Sequence, residues 1–86
     1  MESTNNITVN MAIITRLLTL MGERNITQYK LAQQSGLPFA TVKSIMQRRS
    51  KGITLKTVIL LASGLGMTVS EFLDDEVFLP DNLNLD

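Results

Sequence analysis

The sequence has no cysteine and no histidine among its 86 residues. Without thiols there can be no disulfide, no thiol nucleophile and no thiolate metal site. Without imidazole the usual proton shuttle and the commonest metal ligand are missing. Asp74, Asp75 and Glu76 form a short run of carboxylates. With no His, Cys or Gly-rich loop beside them, they do not assemble a catalytic or cation-binding set. No enzymatic activity, cofactor or metal is expected. The chain also lacks an apolar run approaching the ~20 residues that span a bilayer. Arg16 interrupts the stretch 11–21, and the other apolar run covers only 58–67. The first ten residues contain Glu2 and no Lys or Arg, unlike the basic start of a signal peptide. Asn6-Ile-Thr and Asn25-Ile-Thr match glycosylation acceptors, but nothing marks the chain for export. A cytoplasmic location with no membrane partner is the expectation.

A further absence is local. From Arg24 to Ser70 there are seven basic residues and no acidic one, and from Glu71 to Asp86 six acidic residues and no basic one. The net charge of zero therefore hides a cationic middle and an anionic end. A stretch of cations unopposed by carboxylates is the electrostatic footprint of a phosphate-binding surface.

What is present reads as short helices. A hydrophobic fraction of 44% suits one small globule with a single core. Residues 1–9 are read as a flexible N-terminus, with Asn10 capping a first helix over about 11–24. There Ile13, Ile14, Leu17, Leu20 and Met21 recur at helical spacing, and Leu18 widens the stripe. Asn25 suits the left-handed residue that closes this helix. Thr27 caps a second helix, although Lys30 stands where a capping box wants Glu or Gln. Gly36 turns the chain, and Pro38 opens a third helix to about Gln47. On that helix Val42, Ile45 and Met46 share one face. Ala40, Lys43, Ser44 and Gln47 share the other, with Phe39 and Thr41 on the flanks. The basic loop 48–52 follows. Thr54 caps a fourth helix to about Leu65, and Thr68 or Ser70 caps a fifth to about Leu73. Gly64, inside the fourth helix, is anomalous because glycine there costs ~1 kcal/mol. Residues 74–86 read as an acidic, solvating C-terminal tail. The domain is thus 10–73, an all-α five-helix bundle built around a helix-turn-helix.

The order Arg16-Leu17…Leu20, Ile26-Thr27-Gln28, Leu31-Ala32…Ser35-Gly36-Leu37, Thr41-Val42…Ile45 and Thr54-Leu55…Leu61-Ala62…Leu65-Gly66…Phe72-Leu73 resembles the Cro/C1-type helix-turn-helix family of phage and bacterial regulators. The resemblance implies a lambda-repressor-like fold that docks helices two and three on double-stranded DNA, usually as a homodimer on a palindrome. It places Gln28 at a phosphate-contacting position, and Phe39, Ala40, Lys43, Ser44 and Gln47 at base-facing positions. Relatives often carry Gln where Phe39 stands. Phe39 cannot bond an adenine edge; it either meets a thymine methyl or packs beside helix two.

From their own chemistry, Lys30, Lys43, Arg48, Arg49, Lys51 and Lys56 are expected to neutralise phosphates. Lys43 would favour guanine and Gln47 adenine, with Thr41 beside them. Tyr29 either puts its hydroxyl on a phosphate or is an ordinary half-buried aromatic. Leu18, Met21, Ile59 and Leu60 occupy positions that relatives commonly fill with charge. They form either a dimer contact or a surface under the tail, which Phe78 and Leu79 would cover. The expected function is that of a transcriptional regulator, a repressor. The alternative is a protein-interaction module of the same fold, such as the antitoxin of a toxin–antitoxin pair.

Overall fold

A computed structural model describes residues 6–85. The elements are β1 (Ile7–Thr8), α1 (Val9–Arg24), α2 (Gln28–Ser35), α3 (Phe39–Met46), α4 (Leu55–Gly64), α5 (Val69–Leu73), 3-10 turns at Glu76–Phe78 and Pro80–Asn82, and β2 (Leu83–Asn84). The all-α expectation holds, with a two-residue parallel pairing added: Ile7 opposes Leu83, and Thr8 opposes Asn84.

Local capping fixes most helix ends. The Thr27, Thr54 and Thr68 hydroxyls accept from the backbone N–H three residues on, and Glu71 completes a capping box with Thr68. Asn25 and Gly36 close α1 and α2 in the left-handed region, with φ of 53° and 70°. The start of α1 differs from expectation. Thr8, not Asn10, is the cap; its hydroxyl accepts from Met11 N–H at 3.1 Å. Thr8 wins because strand pairing holds it in the extended conformation an N-cap requires. Within the expected flexible N-terminus, Ile7 and Thr8 form β1 and Val9 begins α1, and residues 1–5 lie outside the described residues.

The core is continuous across all five helices. Leu17, Leu31, Leu61 and Phe72 are its largest fully buried side chains, with Val42 beside them. Each such aliphatic or aromatic side chain contributes about 1.5–3 kcal/mol on leaving water. Met21 belongs here as well. The spacing sets it on the inward stripe and the dimer-or-tail reading on the outer patch; at 8% exposed, one turn beyond Leu17, it belongs to the stripe. Leu60 is half-buried, whereas Leu18 and Ile59 remain 55% and 44% exposed.

Gly64 has a packing reason. A Cβ built there would lie 2.9 Å from the Ser35 backbone nitrogen and 3.0 Å from its Cα, and would clash with its hydroxyl. Helices α2 and α4 thus touch backbone to backbone. The Ser35 hydroxyl at this contact is buried and, among the described residues, has no hydrogen-bond partner.

The acidic segment is not a solvated tail. Arg16 on α1 donates to the Phe72 carbonyl at 2.8 Å and the Glu71 carbonyl at 3.1 Å, and pairs with Asp75 at 3.2 Å. Its guanidinium carbon lies 6.0 Å from the Phe72 ring centroid. The side chain is 13% exposed, so this clasp keeps more of its strength than a surface pair would. Phe78 then packs on the core with its ring centroid 6.1 Å from that of Phe72. The segment becomes a strap along α1, completed by β2. It leaves Leu18 and Ile59 open, and Leu79 is itself exposed. The covering role expected of Phe78 and Leu79 is therefore not seen: Phe78 turns inward to its aromatic neighbour instead.

Candidate nucleic-acid interface

Two buried residues orient α3. Val42 and Ile45 enter the core, so helical geometry turns Ala40 and Lys43 outward, both exposed, with Ser44 half-buried at the edge; α3 ends one residue short of expectation, and Gln47 is its exposed C-cap. Thr41 is half-buried on the flank. Gly36 sets the preceding turn: its N–H and that of Leu37 donate back to the Gln33 and Ala32 carbonyls at 3.3 and 3.1 Å. The strap lies against α1, and the outer side of α3 stays open.

The N-terminus of α2 flanks this face. Gln28 is half-buried in its first turn, and Tyr29 and Lys30 are exposed. The Phe39 ring meets the Tyr29 ring edge-on, with centroids 5.9 Å apart. Phe39 thus packs beside helix two, yet both rings stay exposed. The Tyr29 hydroxyl accepts from the Gln33 amide at 3.5 Å. Tyr29 is therefore not a half-buried aromatic; its polar tip stands at the surface.

Beyond α3 the chain makes a left-handed turn. Arg48 has φ of 63°; its N–H donates to the Ile45 carbonyl at 3.0 Å, and the Arg49 N–H to the Ser44 carbonyl at 2.9 Å. This is the closure that glycine usually provides. A side chain in that region costs about 1–2 kcal/mol, while glycine returns about 0.5–1 kcal/mol of that as backbone entropy. Arg48→Gly is expected to raise stability by up to about 1 kcal/mol in denaturant melts. The same substitution should weaken DNA binding and reduce the log–log salt slope by about 0.9. Opposite signs in the two assays identify a cation kept at a conformational cost.

Among the described residues, Lys30, Lys43, Arg48, Arg49, Lys51 and Lys56 are all exposed and none forms an ion pair. The remaining cation of the middle stretch, Arg24, lies 3.9 Å from Glu23. Helices α2, α3 and α4 carry no acid in their first turns. Their N-terminal partial charges add to the positive potential.

A cleft of about 390 Å³ runs between α3 and the start of α4, lined by Ala40, Thr41 and Ser44 on one side and Ser50, Thr54 and Thr57 on the other. Thr54 carries a helix-cap signal in the sequence, whereas Ser50 and Thr57 carry none of their own. The clue available there is a cluster of hydroxyls immediately after a basic loop. Among the described residues, no helix is long and apolar enough to cross a membrane.

The family model for the Cro/C1-type HTH DNA-binding domain matches residues 16–77. That span holds the helix-turn-helix, the basic loop and the Arg16 clasp, and ends within the first 3-10 turn. No curated protein and no solved structure matches the chain.

Proposed function

Because the chain belongs to the Cro/C1-type helix-turn-helix DNA-binding family, we propose that it is a sequence-specific transcriptional repressor acting as a homodimer in the cytoplasm. The observation that carries this reading is the exposed outer side of α3, with six cations on and near it that form no ion pair among the described residues. Lys43 and Gln47 read base edges, and Ala40 leaves room for the helix to sit deep in the groove. Lys30, Arg48, Arg49 and Lys51 hold the phosphates on either side. The Tyr29–Phe39 pair presents an apolar edge suited to a thymine methyl. Repression requires only that the bound protein occupy the promoter, so no surface beyond the interface is needed.

Pairing is supported by apolar side chains left exposed among the described residues. Leu55 and Ile59 stand one turn apart on α4, and Leu18 on α1, all exposed. Two-fold pairing would set the recognition helices one helical repeat apart, about 34 Å, or a multiple of it.

Selection of bound duplexes from a random pool tests the proposal. A palindromic consensus is expected. Affinity for it should fall roughly 10³-fold between 50 and 200 mM salt if about six phosphates are contacted. A pool that yields no consensus, with binding indifferent to salt, overturns the reading.

A further inference from the structure

Asn10 does not cap its helix, and its amide does something else. Nδ2 donates to the Ser50 carbonyl at 3.3 Å and to the Lys51 carbonyl at 3.2 Å, bridging 40 residues of sequence. A carboxamide nitrogen has two hydrogens, one for each of these successive carbonyls. The loop they belong to carries Arg48, Arg49 and Lys51 in four residues, with no acid to offset their repulsion. Its other hydrogen bonds are local. Arg48 and Arg49 bond back to the last turn of α3, and the Ser50 hydroxyl donates to the Gly52 carbonyl at 3.2 Å. Among the described residues, the Asn10 amide is the hydrogen-bonded link from this loop to α1. Asn10 lines, with Thr8, Arg48 and Ser50, a cavity of about 290 Å³ whose apolar walls include Met11, Ile14 and Ile53.

We propose that Asn10, outside the helix-turn-helix itself, is a positioning residue for the phosphate-binding loop. It holds the Ser50–Lys51 backbone so that the loop cations are already arranged when a duplex arrives. Preorganisation of this kind raises affinity by removing ordering that binding would otherwise have to impose. The inference rests on the DNA-binding reading above and adds a residue that touches no DNA.

The test compares the intact chain with Asn10→Ala on the selected duplex. Alanine is the best helix former, so α1 is kept and only the bridge is lost. The expected result is a fall in affinity of about tenfold, with the log–log salt slope shallower by about 1–2 as loop cations leave their phosphates. The consensus should stay the same, because α3 is untouched. Amide hydrogen exchange on the free protein should show faster exchange confined to residues 48–52. If Asn10→Ala matches the intact chain in affinity and slope, the proposal fails. It fails equally if affinity drops with the slope unchanged and exchange quickens throughout the core, which would mark a merely structural residue. An intact chain that binds no duplex would instead sink the DNA-binding reading, a distinct outcome.

Discussion

Lys43→Ala and Gln47→Ala are each expected to weaken binding to the selected duplex by about 1–3 kcal/mol, on the order of 5- to 150-fold. Lys43 stands on the exposed side of α3 and Gln47 is the exposed C-cap just past its end, and the buried Val42 and Ile45 prevent the helix from rolling them away. The two losses should differ in position. Each variant should tolerate substitution at its own base pair while still discriminating at the other's. Arg49→Ala provides the contrast: as a phosphate contact it should weaken all duplexes alike and flatten the salt slope by about 0.9. Competition binding against single-base variants of the consensus separates these patterns. Two alanine variants that keep both affinity and preference would show that bases are read elsewhere.

Gly64→Ala is expected to destabilise the fold by about 1–3 kcal/mol, although alanine is favoured over glycine in a helix by ~1 kcal/mol. The new methyl would meet the Ser35 backbone, with nitrogen and Cα both at 3.0 Å or less, and backbone cannot step aside as a flexible side chain can. Denaturant melts measure the effect. Ser35→Ala removes the clashing hydroxyl, which is also a buried group without a partner among the described residues. It should be neutral or mildly stabilising alone and should restore only part of the loss in the double variant. Complete restoration would place the clash on the hydroxyl rather than on the main chain. Since α2 carries the first half of the helix-turn-helix, Gly64→Ala should also disturb DNA binding beyond what its stability loss explains.

The helix-turn-helix was legible in the sequence because its determinants are local. Thr27, Gly36 and the Val42–Ile45 spacing act within a few residues of themselves, and each appears where expected. The strap was illegible for the opposite reason. Composition makes residues 74–86 look like a solvated tail, and their order comes from partners far away in sequence. Arg16 and Asp75 are 59 positions apart, and β1 meets β2 across nearly the whole chain. Asn10 shows the same limit at a single residue. Asn before an apolar run is a fair cap, but its true partners are two loop carbonyls that no pattern rule connects to it. The recognition face itself could be read because burial of one helical stripe dictates exposure of the other. The cleft hydroxyls Ser50 and Thr57 could not, because they become neighbours of Ser44 only when α4 docks.

The separation of sign along the chain becomes a separation in space once the strap lies on α1. Asp75 is held against Arg16 on α1, and among the described residues the cations on and beside α3 have no acidic partner. Zero overall charge means that a distant duplex exerts almost no net pull on the molecule. It still exerts a torque, which turns the cationic pole toward the phosphates. Ions at physiological strength confine this turning to roughly the last 8 Å of approach. The protein should thus meet DNA without long-range capture, yet arrive already facing it.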